Sequence, residues 1–132
     1  MKKTYLLILF LALIGNMVGC KDNNEPTLPL DGVWLEQSDR LDTIRFVRLD
    51  NGPYLSLDRG REIRNGEVLP KYGSGLYNYQ IKGDSISLLN LSSSCSSCYK
   101  TYYFVIKGAE LRIGDFYEKN SPNPQPLIFI KD

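Results

Sequence analysis

Histidine is absent from this 132-residue chain. Its absence excludes Ser-His-Asp and Cys-His catalysis, His-ligated zinc and the usual proton shuttle at neutral pH. Excess charge of either sign is missing too, because 16 Lys and Arg face 15 Asp and Glu, a formal +1. That balance gives no basic field for nucleic acid and no acidic tail, so no nucleic-acid partner is expected. No Walker loop, dinucleotide fingerprint or calcium loop occurs. Glycosidase chemistry needs two facing carboxylates, and the 13 acids from Asp31 onward fall in no recognisable motif. Asp39, Asp42, Asp50, Asp58 and Asp84 sit beside turns, where aspartate bonds the local backbone. The expectation is a protein that is not an enzyme and that uses no cofactor and no metal. The length allows one domain, not two.

Long apolar runs are scarce as well. The one that exists is Tyr5–Ile14, preceded by the cationic Met1-Lys2-Lys3 and followed by Gly15 to Gly19. A basic start, a short apolar stretch and small residues before a cleavage point make a secretory signal. The run is shorter than the roughly 18 apolar residues of a membrane span; a short anchor left in place is the alternative. Met17-Val18-Gly19-Cys20 resembles a bacterial lipobox, with Met17 where leucine is usual. The resemblance implies cleavage before Cys20 and lipidation of that residue, hence a membrane partner and an outer-membrane lipoprotein facing the periplasm or the cell surface. Two or more acyl chains anchor stably where one does not. Segment 1–19 is then a signal peptide, and its loss with Lys2 and Lys3 leaves 14 basic against 15 acidic side chains. Residues 20–29, Lys21 to Pro29 after the cysteine, are polar with two prolines and form a tether. Lys21-Asp22 resembles the export signal of surface lipoproteins of gut-type Gram-negative anaerobes, interrupted by Asn23; a plain solvated linker is the other reading.

Residues 30–132 show almost no helical spacing. They show short β-rich runs broken by Gly, Asn, Asp and Pro. The runs are 32–37, 43–49, 54–58, 76–82, 85–91, 100–107, 110–113 and 126–131, with a smaller hairpin, 61–64 and 67–69, around Asn65-Gly66. Asn51-Gly52 is expected to supply the positive φ of a type I′ turn. Gly83-Asp84 and Gly108-Ala109 read as two-residue turns, and the segments around them echo each other as hairpins of a meander. Connections this short exclude parallel crossovers. The expected fold is all-β, a single antiparallel up-and-down barrel of about eight strands, with a two-sheet sandwich as the alternative.

Alternation assigns faces. Tyr102, Phe104 and Ile106 share one face; so do Ile44 with Phe46, Leu55 with Leu57, Ile86 with Leu88, and Leu111 with Ile113. An eight-stranded barrel has room for side chains or one small ligand. Short strands make it a shallow cup that Ile44, Phe46, Ile86, Leu88, Phe104, Ile106, Leu111 and Phe129 could fill entirely. The mature chain has eight tyrosines, whose flat bodies and polar tips suit a barrel mouth holding a ring-shaped or sugar-like ligand and suit a strand surface equally. Phe46, Tyr54, Tyr77, Tyr79, Tyr102 and Phe104 are the candidate ligand-lining residues.

Leu30-Asp31-Gly32-Val33-Trp34 at the first strand resembles the Gly-x-Trp opening of lipocalins and related calycins. The resemblance implies that Gly32 lets the chain turn close to the barrel and that Trp34 plugs one end. It also implies an arginine from a late strand over the tryptophan, Arg112 being the nearest candidate. In signal, tether and meander the chain resembles the small lipocalin-like lipoproteins of gut-type Gram-negative anaerobes, a resemblance that implies fold more than function. The signal, Cys20, the eight-run meander and Gly32-Val33-Trp34 together lead to the expectation of a small hydrophobic or amphipathic ligand. Tyr72-Gly73-Ser74-Gly75-Leu76-Tyr77 with Lys82-Gly83-Asp84 resembles lipoprotein inhibitors of C-type lysozyme, although the spacing is shorter and that family's long-range disulfide has no counterpart. This second resemblance implies a protein partner for a filled barrel.

Outside the cytoplasm, with Cys20 lipidated, Cys95 and Cys98 are left to pair. A disulfide between them closes only a short loop, worth about 1–2 kcal/mol. A thioredoxin-type motif would need a helix N-terminus in an α/β fold, and zinc would need two more Cys or His ligands.

Overall fold

The computed structural model describes residues 30–38, 42–117 and 125–132. The signal segment 1–19, the tether with Cys20, and Asp39 lie outside the described residues. The β-rich runs become ten strands: β1 (Val33–Glu36), β2 (Thr43–Leu49), β3 (Gly52–Asp58), β4 (Arg61–Arg64), β5 (Glu67–Pro70), β6 (Gly75–Lys82), β7 (Ser85–Asn90), β8 (Lys100–Lys107), β9 (Glu110–Ile113) and β10 (Leu127–Lys131). Eight of them pair antiparallel, each with its neighbour, in the order β1-β2-β3-β6-β7-β8-β9-β10, and β10 returns to β1 to close the barrel. Closure leaves no unpaired strand edge in this sheet. β4 and β5 stand apart as a two-stranded hairpin between β3 and β6.

Turn chemistry shows where local sequence was decisive. Arg64 pairs with Glu67, and both residues between them, Asn65 (φ 52°) and Gly66 (φ 84°), have the positive φ of a type I′ turn. The same dipeptide at Asn51-Gly52 behaves otherwise. Leu49 pairs with Gly52, so Asp50 and Asn51 occupy the turn, and Asn51 does not take a positive φ. Gly52 instead opens β3 at φ 135°. Proline pushes the residue before it towards extended backbone, so Pro53 takes Gly52 out of the corner of an Asn-Gly turn.

The barrel has two unlike ends. Two-residue turns join β2 to β3, β6 to β7 and β8 to β9 at one end, where β1 also begins and β10 ends. The strand ends that flank the other four connections, 37–42, 59–74, 91–99 and 114–126, all lie at the opposite end. The interior between them is packed with side chains from the inward faces. Trp34, Ile44, Leu55, Ile86, Leu111, Ile113 and Phe129 are 0% exposed, and Phe46 and Ile106 pack against them. Phe104 is 2% exposed and meets the Phe46 ring at 6.2 Å, edge to face. The inward positions through the middle of the barrel are thus taken by large apolar groups, spaced by the period of two.

The end with the tight turns is closed around Trp34. Its indole Nε1–H donates to the Leu30 carbonyl at 3.0 Å. The ammonium of Lys131, on the last strand, stands 5.6 Å from the ring centre. A Cβ on Gly32 (φ 111°) would come within 3.0 Å of the same lysine's Cε, so the glycine permits the close approach. Arg112, expected over the tryptophan, is elsewhere: it alternates with the inward Leu111 and Ile113 and pairs with Glu110 on the outside at 2.5 Å.

Candidate functional site

A cleft of about 340 Å³ opens at the end with the long connections. Its floor comes from the loop-side ends of three strands: Tyr77 on β6, Leu88 and Asn90 on β7, and Lys100 and Tyr102 on β8. These are consecutive inward positions, as the pairs Tyr77 with Asn90, Leu88 with Lys100 and Ile86 with Tyr102 show. The walls come from three loops. Tyr72 and Gly73 belong to the first, Ser93 to Cys98 to the second, and Phe116 and Tyr117 to the third.

Aromatic rings meet edge to face across this end. Phe116 lies 5.2 Å from Tyr77, 6.0 Å from Tyr102 and 4.9 Å from Tyr117. Such offsets suit the ring quadrupoles. The Tyr77 hydroxyl donates to the Gly73 carbonyl at 2.6 Å, tying the first wall to the floor. Burial, and next the neighbouring Tyr72, push the Tyr77 phenol up to about 12. Burial also raises Tyr102, helped by the charge of Asp115. Both rings are therefore neutral hydrogen-bonding groups at neutral pH.

The raised Tyr77 has a consequence for alkaline stability. Below an ordinary phenol value of 10.0 the folded and unfolded chains are both protonated. Above it the unfolded chain loses the proton first, so stability falls as pH rises and levels off only above the folded value. Tyr77 alone contributes a loss of about 2–3 kcal/mol across that window. Denaturant midpoints measured on either side of it should drop, while Tyr77→Phe should flatten the decline.

A buried ionic network supports the mouth. Asp42, 1% exposed, accepts from the Tyr117 hydroxyl at 2.8 Å and from Arg59 Nε at 3.0 Å, both on the same carboxylate oxygen. Arg59 also donates to the Tyr72 carbonyl at 2.8 Å and lies 4.3 Å from the centre of the Tyr117 ring. One arginine and one aspartate thus join three of the four long connections. Gly73 sits where the walls touch. At φ 87°, a Cβ there would stand 2.6 Å from Tyr117 Cβ, whereas one on Gly66 at φ 84° would meet nothing within 4 Å. Gly73→Ala should cost about 2–3 kcal/mol, combining backbone strain with overpacking. Gly66→Ala should cost only about 1 kcal/mol. Paired thermal melts would check the difference.

The second wall is held by the Cys95–Cys98 disulfide, with Cα atoms 5.5 Å apart. The Tyr99 hydroxyl donates to Asn78 Oδ1 at 2.6 Å and fixes the same loop to β6.

The sequence-derived candidates separate by position. Tyr77 and Tyr102 lie in the cleft, and Cys95 and Cys98 in its wall. Phe46 and Tyr79 meet at 5.4 Å, packed with Phe104 against the core rather than in the cleft. Tyr54 is 5% exposed on the face opposite Leu55 and Leu57, outside the core cluster. Gly32 and Trp34 sit at the far end of the barrel. Sequence reasoning did not single out Asn90, Lys100 or Phe116 for the site. Lys100 was legible in principle, because extending the alternation Phe104, Tyr102 by two residues makes position 100 inward. Phe116 lies in a segment without periodicity, which carries no such signal.

No protein-family description, curated protein or solved structure matches the chain. Its geometry nevertheless defines a class: an eight-stranded antiparallel up-and-down barrel with a packed interior and an aromatic cleft at one end.

Proposed function

We propose that the protein is a lipid-anchored component of the cell envelope that holds a small hydrophobic or amphipathic ligand at the mouth of its barrel. The observation that carries this reading is the cleft of about 340 Å³ bounded by Tyr72, Tyr77, Tyr102, Phe116 and Tyr117. It falls at the small end of ligand pockets, which run to roughly 300–1,000 Å³, and such pockets combine aromatic walls with a few polar groups. The ligand sits above the packed core, so the barrel acts as a rigid base and the loops as the binding surface. The lipocalin-like opening around Gly32 and Trp34 agrees with this division of labour, since the tryptophan end is shut.

The lipobox-like Met17-Val18-Gly19-Cys20 supports attachment through Cys20 to the outer membrane, facing the periplasm or the cell surface. The chain enters the barrel beside Trp34, at the end away from the cleft. A ten-residue tether from Cys20 reaches at most about 35 Å. With that anchor the attachment point lies at the end opposite the cleft, and the tether leaves the cleft free to exchange ligand with the aqueous side. Native mass spectrometry of the protein incubated with envelope lipid and metabolite extracts tests the reading. A retained small molecule, lost in Tyr102→Ala, is expected; a protein that emerges empty from every extract contradicts it.

A protein partner is the second reading, favoured by the separate hairpin. Its cross-strand pair Ile63 and Val68 is 75% and 59% exposed, and large exposed apolar groups cluster at interaction sites. The version in which the Tyr72–Tyr77 segment blocks a C-type lysozyme is checked by a turnover assay. That segment closes the cleft here, through the Tyr77 bond to Gly73, and full lysozyme activity in the presence of the protein is expected.

A further inference from the structure

We infer that the ligand carries an anionic group and that Lys100 receives it. The inference deepens the ligand reading and rests on it. On β8 the inward positions run Lys100, Tyr102, Phe104, Ile106. The other three are apolar or aromatic and pack with the core. A lysine at the last of them, opposite the buried Leu88, places a cation over a floor that is otherwise aromatic and aliphatic. Among the described residues that line the cleft, Lys100 is the one with a charged side chain and none carries a carboxylate.

The nearby charges leave that cation available. Arg59, the cation of the buried network at this end, is engaged by Asp42 and by the Tyr72 carbonyl. Asp115 acts on Tyr102 and accepts from the Tyr117 backbone N–H, outside the cleft lining. Among the described residues Lys100 has no ion pair or side-chain hydrogen bond. A cation beside ring faces recognises a molecule with two parts: a ring or short apolar body for the Tyr77, Tyr102 and Phe116 surfaces, and a carboxylate, sulfonate or phosphate for the ammonium. Ser94 and Asn90 line the same cleft and add polar contacts around such a headgroup.

Two fluorescent probes that differ only in charge test this. Anilinonaphthalene sulfonate is an anion, and N-phenylnaphthylamine is the same ring system without the sulfonate. The wild-type chain should bind the anion about fivefold more tightly, the size expected of a partly exposed charge pair. Lys100→Gln should abolish the preference while leaving the neutral probe unchanged, and added salt should weaken only the anion. Lys107→Gln, at the end with the tight turns, should behave as wild type. Equal binding of both probes, or a preference that survives Lys100→Gln, overturns the role of Lys100 but leaves the ligand reading standing. Binding of neither probe at roughly 100 μM, the weak edge of useful affinity, overturns both. Circular dichroism of each variant ensures that the probes report on folded protein.

Discussion

Replacing Asp42 with alanine should destabilise the protein by about 3–5 kcal/mol, the range for removing one partner of a buried ion pair. The carboxylate is 1% exposed and holds two donors on one oxygen, the Tyr117 hydroxyl and Arg59 Nε. Without it the Tyr117 hydroxyl loses its buried acceptor, and the guanidinium, 14% exposed in its side chain, loses the carboxylate 3.0 Å from its Nε. Asp42→Asn keeps an acceptor for Tyr117 but no charge for Arg59, so its loss should be smaller. The substitution should also be felt in the cleft, because Tyr72 and Tyr117 form its walls. Urea denaturation supplies the stability, and probe titration supplies the second effect.

Trp34→Ala should cost a comparable amount, about 3–5 kcal/mol, for a different reason. The indole is 0% exposed and joins the core cluster. Its removal leaves a cavity at the end with the tight turns and strips the Leu30 carbonyl of its donor. Trp34→Phe refills most of the space and should recover much of the loss. The two alanine variants differ in what they do to binding. At temperatures where both remain folded, Trp34→Ala should leave probe affinity near wild type, whereas Asp42→Ala should weaken it. The chain has a single tryptophan, so melts of this variant are followed by circular dichroism.

Most of the barrel was legible in the sequence because its strands are short, regular and joined by turns with distinct chemistry. Gly83-Asp84 and Gly108-Ala109 each close a hairpin in the expected register. The alternation of Phe104 and Ile106 with Tyr103 and Val105 puts the first pair inside. Even the minor Asn65-Gly66 hairpin forms. Errors arose where a neighbour overrode a local preference. Pro53 alters what Gly52 can do. Arg112, the nearest candidate for the place over the tryptophan, is pointed outward by its own alternation with Leu111 and Ile113. Lys131, two places beyond Phe129 on an inward face, takes that position.

The cleft was much less legible. Two of its aromatic rings, Tyr77 and Tyr102, lie on strands and follow the period of two. The rest belong to connections that carry no period, and nothing in the residues around Phe116 announces that it meets Tyr77 from β6. Asp42 and Arg59 look like ordinary turn residues on their own. Their pairing with Tyr117, 75 residues from Asp42, exists only once the barrel has closed and brought the long connections to one end. Topology, rather than any motif, assembles the site.

The central claim is that the barrel interior is a packed base and that ligand binds only at the loop end. Amide chemical-shift mapping during titration with anilinonaphthalene sulfonate tests it most directly. Shifts confined to residues around 72–73, 93–102 and 116–117, with the turns at 50–51, 83–84 and 108–109 unmoved, are the expected result. Shifts centred on those turns and on Trp34, or spread through the strand interior around Phe46 and Phe104, would place the ligand inside the barrel and contradict the account.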